Sequence, residues 1–162
     1  MYKRQQQEVT LEEELDGLED YIYLQQMRFD GRITVEKQIL VDPARARLPS
    51  FTLQPVIENA FSHGLKACEE GGRILLRVWR QGRMLYVTVA DNGKGMTEEE
   101  LAALSEKMRQ SEQTGKSIGL GNIFRRVSML YPDTGKMQVF SRAGHGTVIR
   151  FEIPQGEEEE RA

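Results

Sequence analysis

The stretch Asp91-Asn92-Gly93-Lys94-Gly95-Met96 constrains the chain more than any other. The run before it, Leu85-Tyr86-Val87-Thr88-Val89-Ala90, alternates and is rich in β-branched residues, which predicts a strand. After it, Thr97-Glu98-Glu99-Glu100 predicts a helix start, with Thr97 as N-cap and Glu100 as its capping-box partner. A strand therefore ends in an aspartate, the chain turns on two glycines, and a helix begins. Such a junction sets a carboxylate beside exposed backbone amides at the mouth of a sheet. The carboxylate suits an exocyclic amine, and glycines let backbone approach a flat ring. Taken alone, Asp-x-Gly-x-Gly reads equally as an ordinary loop.

Composition narrows the field. A chain of 162 residues is one domain plus a short appendage. A net charge of −3 gives no overall field for nucleic acid. No apolar run approaches the ~18 residues of a membrane span, and no signal-peptide pattern is present. The one cysteine, Cys68, excludes an internal disulfide and any multi-cysteine metal site. It reads as a packing residue in a reducing, cytoplasmic setting.

Along the chain, Thr10-Leu11-Glu12-Glu13 predicts a second capping box. Leu11, Leu15, Leu18, Ile22 and Phe29 then mark one face of a helix ending near Phe29. That helix is either packed on its own domain or a connector. Asp30-Gly31 breaks it, and Ile33 to Val41 predicts a strand. A helix from about Thr52 places Leu53, Ile57, Ala60 and Gly64 on one face, with Asn59 and His63 four apart at its edge. Ile74–Arg80 and Met84–Ala90 form a hairpin around Gln81-Gly82-Arg83. A helix over residues 97–108 follows, then a polar, aperiodic stretch from Arg109 to Ser117 that reads as a mobile loop. Gly119-Leu120-Gly121-Asn122 opens another helix, a place suited to phosphate. Met137, Val139 and Thr147 to Ile153 close the fold as a hairpin around Ala143-Gly144-His145-Gly146. The class is α+β: one mixed, mostly antiparallel sheet covered on one face by helices. The run Glu157 to Glu160 predicts a disordered acidic tail.

Taken in order, these stretches resemble the ATP-binding site of the GHKL superfamily, whose α/β sandwich is the Bergerat fold. Leu53 to Gly64 resembles its N box, Asp91 to Met96 its G1 box, and Ser117 to Asn122 its G2 box. Gly144-His145-Gly146-Thr147 is similar to its last glycine box. Within the superfamily the chain most resembles LytS/YesM-type sensor histidine kinases. The marks are Val9-Thr10-Leu11-Glu12-Glu13-Glu14-Leu15, the run Tyr21 to Phe29, and the Leu53-Gln54-Pro55 start of the N box. The match covers about residues 9–154.

The resemblance implies ATP and Mg²⁺ as ligands. Asn59 is implied to hold Mg²⁺, with Glu58 beside it as the second catalytic position, able to polarise a nucleophile. Asp91 is implied to hold the adenine amine, and Gly93, Gly95 and Met96 to shape its pocket with Thr147. Gly119, Leu120 and Gly121 are implied as the hinge of a lid spanning residues 109–118, with Asn122 beside them as a further nucleotide-binding residue. His63 either reaches a phosphate or caps its own helix; His145, in a turn, is structural. Two positions depart from the pattern: Ser62 stands where many such kinases have lysine, and Ser117 where the G2 box usually starts with glycine.

The implied organisation is a linker helix (1–29) from a dimerisation and phosphoacceptor segment, an ATP-binding catalytic domain (30–155), and the tail (156–162). The implied protein is a histidine kinase anchored in a bacterial membrane, catalytic domain in the cytoplasm. It would be a homodimer serving a response regulator. The acceptor histidine is expected in an upstream segment, since His63 and His145 are the only histidines and both fall inside the nucleotide domain. Two alternatives stand beside this. An anti-sigma-factor-type serine kinase would have glutamate where Pro55 lies, and a nucleotide-sensing module would transfer nothing.

Overall fold

Segments whose apolar residues alternate build a central sheet. The computed structural model describes residues 7–66, 68–114 and 119–156. In chain order the elements are β1 (Glu8–Thr10), α1 (Leu11–Arg28), β2 (Ile33–Ile39), β3 (Arg47–Pro49), α2 (Leu53–Asn59), β4 (Gly72–Gln81), β5 (Met84–Asp91), α3 (Glu98–Thr114), α4 (Leu120–Leu130), β6 (Lys136–Arg142) and β7 (Gly146–Pro154). The five-stranded sheet runs β2-β4-β5-β7-β6. Only β2–β4 is parallel; β4–β5, β5–β7 and β6–β7 are antiparallel. This is the α+β arrangement expected from the sequence.

The period-two pattern sorts the strands' side chains. Ile74, Leu76 and Val78 of β4, Leu85, Val87 and Val89 of β5, and Ile149, Phe151 and Ile153 of β7 are all buried. They share one core with Leu53, Val56 and Ile57 of α2 and Ile123 and Val127 of α4. On the opposite face Trp79 stacks on Tyr86, with ring centroids 5.3 Å apart. Arg77 lies over the Trp79 ring and Arg150 over the Tyr86 ring.

Helix α1 starts as the sequence predicts. Thr10 Oγ1 accepts the Glu13 amide at 3.2 Å, and Leu11, Leu18 and Ile22 are buried. The helix packs on its own domain: Tyr21 meets Phe61 edge-on and Phe29 stacks on it, at 6.3 and 5.7 Å.

Three features differ from expectation. First, β1 and β3 form a short antiparallel ladder, Val9 opposite Leu48, ahead of α1. Second, the helix carrying Asn59 is not uniform: α2 passes into a π turn, Ala60–Gly64, closed by the Leu65 amide on the Ala60 carbonyl at 2.9 Å. Third, α3 runs to Thr114, so residues 109–114 are helical where a loop was expected. Those residues lack apolar periodicity, but Arg, Gln and Glu are good helix formers and extending an existing helix needs no new nucleus. An Arg109–Glu106 ion pair braces that turn. The rest of the expected lid, residues 115–118, lies outside the described residues, as do 1–6 of the N-terminal segment and 157–162 of the acidic tail.

Candidate functional site

Asp91 is the last residue of β5 and continues the inward row Leu85-Val87-Val89, so its carboxylate faces the helices rather than the open side of the sheet. In register it lies opposite Thr147 on β7, and Thr147 lies opposite Ser141 on β6. The apolar core thus ends, at this edge, in a polar row. The Gly93 amide donates to Asp91 Oδ1 at 2.8 Å, and the Thr147 backbone also donates to this carboxylate. Burial pushes the Asp91 pKa up, and these two amide bonds partly offset the rise. Ser141 Oγ accepts the Met96 amide at 2.8 Å and lies 2.8 Å from Thr147 Oγ1, which ties the loop after β5 to the far strands.

Both glycines of this loop are confined by space, a Cβ at Gly95 overlapping the Arg142 carbonyl, and Gly95 is set by its backbone conformation as well. Gly95 has φ +65°, a backbone state that disfavours side chains. At Gly93 the constraint is space: a Cβ there would overlap the Gly64 carbonyl of the π turn. The Lys94 amide donates to that same carbonyl at 3.0 Å. Loop and π turn are therefore in backbone contact, which brings Asn59 and His63 beside Asp91. The capping box after the loop forms as predicted, with the Glu100 amide on Thr97 Oγ1 at 3.2 Å and the Thr97 amide on Glu100 Oε1 at 3.3 Å.

Two adjoining cavities result. One, of about 350 Å³, is lined by Asp91, Gly95, Met96 and Thr147 together with Asn59, His63 and Leu120. The other, of about 580 Å³, is lined by Glu58, Asn59, His63, Gly119, Leu120 and Asn122. Asn59, His63 and Leu120 are the wall common to both. Ten of the twelve residues singled out from the sequence thus line this pair of adjoining cavities, together called the hollow below. Gly93 and Gly121 line neither; Gly93 sits under the loop as described, and Gly121 is buried in the first turn of α4. Gly119 holds the N-cap position of that helix at φ +71°. Ser62 lines the larger cavity and its hydroxyl donates to the Glu58 carbonyl at 2.8 Å.

Several wall residues escaped the sequence reading. Glu100, Leu104 and Lys107 reach the smaller cavity from α3, with Lys94 and Val139. The i, i+4, i+7 spacing on α3 carried that signal, since it places all three on one helix face. Phe51, Pro55, Arg125 and Arg126 complete the larger cavity. Arg126 reaches back to the turn before α2, donating to the Ser50 carbonyl and, at 2.7 Å, to that of Phe51. No local pattern announces a contact across 75 residues.

The family model described as histidine kinase-, DNA gyrase B-, and HSP90-like ATPase matches residues 50–157, two-thirds of the chain. The chain belongs to this ATPase family. The match begins at the turn before α2 and takes in every residue of the two cavities named above, so the hollow lies wholly within the matched region. Among curated relatives, the sensor histidine kinase YpdA of Escherichia coli is 32% identical over 148 residues, covering 91% of this chain and 25% of that protein. The sensor protein kinase HptS of Staphylococcus aureus is 30% identical over 146 residues, 90% of this chain and 28% of that protein. The chain spans about a quarter of the length of these relatives. Among solved structures, the catalytic domain of histidine kinase ThkA superposes with a TM-score of 0.62 at 22% identity, covering 91% of this chain and 96% of that one. Acinetobacter baumannii histidine kinase AdeS gives 0.63 at 12% identity, covering 93% and 67%. These likenesses establish the fold.

Proposed function

We propose that this chain is the ATP-binding catalytic domain of a LytS/YesM-type two-component sensor histidine kinase. The single observation that carries the reading is the pairing of the two adjoining cavities. A half-buried carboxylate in one and the glycine-opened N-terminus of α4 in the other meet at a shared wall of Asn59, His63 and Leu120. A nucleotide has the same polarity, a flat base with an exocyclic amine at one end and a polyanion at the other. Asp91 would accept from the adenine amine, and Gly95, Met96 and Thr147 would flank the ring. The α4 N-terminus, with free amides and the positive dipole end, would face the phosphates.

The residues present fit Mg²⁺ in one specific way. Among the described residues no group of three His, Cys, Asp or Glu side chains could hold a metal. A divalent cation here would therefore depend on phosphate oxygens and water, with Asn59 as a neutral oxygen donor from the shared wall. That donor set suits Mg²⁺, which keeps several waters and binds through few protein groups. When bound, the ion would offset charge on the phosphate oxygens. Glu58, exposed at the rim of the larger cavity, would face the incoming nucleophile.

The reaction would be transfer of the γ-phosphoryl group to an imidazole nitrogen of a histidine supplied by another segment. The bond between phosphorus and the β,γ-bridging oxygen breaks, a phosphorus–nitrogen bond forms, and ADP leaves. Such transfer demands the acceptor in line with the γ-phosphate. His63 is held in the π turn, and His145 in the β6–β7 turn with its amide on the Arg142 carbonyl. Neither can take that position.

The parent kinase would be a membrane-anchored homodimer with this domain on the cytoplasmic side. No helix among the described residues is long and apolar enough to cross a membrane. A response regulator would be its downstream partner; ThkA has been solved in complex with the response regulator TrrA.

Incubation with γ-labelled ATP tests the transfer. The chain alone should acquire no phosphohistidine. A histidine-bearing dimerisation segment, added in cis or in trans, should acquire acid-labile label. Acid-labile label on His63 or His145 of the chain alone would contradict the reading, and acid-stable label on a partner's serine would favour a serine kinase.

A further inference from the structure

Helix α1 lies wholly outside the residues that the family model matches, yet it is wired into the candidate nucleotide site. Glu14, on its first turn, projects onto the start of α2. Its Oε1 accepts the Phe51 amide at 2.6 Å, and its Oε2 accepts the amides of Thr52 and Leu53, each at 3.1 Å. One carboxylate thus caps three N–H groups at the N-terminus of the helix that carries Asn59, where negative charge also meets the positive dipole end. From the other side Arg126 of α4 grips the same turn by its carbonyls, Ser50 and Phe51. Phe51 sits between the two grips with φ +60°, a left-handed state that a bulky residue keeps only where its surroundings impose it. At the far end of α2, Tyr21 and Phe29 of α1 pack on Phe61 of the π turn, so α1 braces this segment at both ends.

Both elements held by this clamp face the phosphate half of the hollow. Segment α2 carries Asn59, and α4 carries the Gly119-Leu120 opening. Asp91, by contrast, is held by the sheet and by the loop after β5, and its loop meets the braced segment at the π turn, through the Lys94 amide on the Gly64 carbonyl, rather than at the 50–53 turn. We propose that Glu14 and Arg126 are positioning residues for the triphosphate side of the nucleotide site, acting through the 50–53 turn that they grip from opposite sides. This inference rests on the nucleotide reading given above. It makes α1 a working part of the site: a shift of α1 along its axis moves the N-terminus of α2, and through Arg126 it pulls on α4.

The test is calorimetric titration of the wild-type chain, Glu14→Gln and Arg126→Lys with Mg-ATP and with adenosine, alongside thermal melting of each. Glu14→Gln removes the charge and leaves one acceptor for three amides. Arg126→Lys keeps the charge but replaces the planar fork, whose two nitrogens each reach one carbonyl, with a single nitrogen. We expect Mg-ATP affinity to fall by roughly tenfold in Glu14→Gln and by a smaller factor in Arg126→Lys, with adenosine affinity held within about twofold in both. A merely structural role would lower both affinities in parallel with the melting temperature. Parallel losses, or no loss in either variant while the wild type binds Mg-ATP, would overturn the positioning role alone. A wild-type chain that does not bind Mg-ATP would overturn the nucleotide reading and this inference with it. If Glu14→Gln does not fold, the ratio measured for Arg126→Lys decides the matter.

Discussion

Asp91→Asn should lose about tenfold to a hundredfold in ATP affinity, the usual effect of mismatching a buried hydrogen bond. A carboxylate only accepts, and the adenine amine needs an acceptor; an amide presents a competing donor to the same atom. The fold should not suffer. The amide oxygen of the variant can still take the Gly93 amide, and loss of the charge whose burial is unfavourable offsets the weakening of the second bond, from the Thr147 backbone. The sign follows from the raised pKa. A carboxyl group that holds its proton more tightly folded than unfolded contributes stability at low pH, and loses it as pH rises through the folded value. At neutral pH the native carboxylate therefore costs stability, and the variant should melt at the same temperature as the wild type or higher. Binding and stability should part company at this one residue. ATP affinity unchanged in Asp91→Asn, measured by calorimetry, would remove the adenine assignment.

Gly93→Ala should fail in the opposite manner, losing stability and nucleotide affinity together. Its Cβ would overlap a backbone oxygen, that of Gly64, which cannot rotate away, and would stand 2.8 Å from Asp91 Oδ1. The loop must lift off the π turn, breaking the bond from the Lys94 amide to the Gly64 carbonyl. Overpacking of this kind costs about 1–3 kcal/mol. For a chain of this size that lowers the melting temperature by very roughly 2–12 °C. Asp91 moves with the loop, so ATP affinity should drop as well. Melting of Gly93→Ala indistinguishable from wild type would show that the contact between loop and π turn is not what holds the site.

The contrast between these two variants shows what the sequence made legible. Asp91 and its glycines could be read because their signals are local: an alternating strand, two turn residues and a capping box within sixteen residues of chain, all of which form. The same holds for α1, whose Thr10 cap and buried Leu11, Leu18 and Ile22 follow a plain helical period. What stayed hidden was non-local or depended on geometry without a residue signature. The β1–β3 ladder pairs two three-residue segments, too short for any period to show. The π turn at Ala60–Gly64 changes the helical phase without a proline or any other breaker at its start, and it decides where His63 points. Gly93 was legible as a turn glycine, but its actual constraint, the Gly64 carbonyl, lies 29 residues away. Glu14 stood in the sequence only as a member of the run Val9 to Leu15; the fold separates it from Glu12 and Glu13 by placing three amides of the 51–53 segment against it. Helix α3 ran past its expected end for the converse reason: polar residues favour a loop by composition, yet they continue a helix already begun.

An adenine nucleotide in the hollow between Asp91 and the start of α4 must be distinguishable from a guanine nucleotide. Titration of the wild-type chain with Mg-ATP and with Mg-GTP tests it most directly. Guanine carries a carbonyl where adenine carries its amine, and that oxygen would face the Asp91 carboxylate as one acceptor against another. Mg-ATP should bind saturably and Mg-GTP more weakly by at least about tenfold, the scale set by an unmatched buried polar pair. Equal affinity for the two nucleotides, or no binding of either, would contradict it.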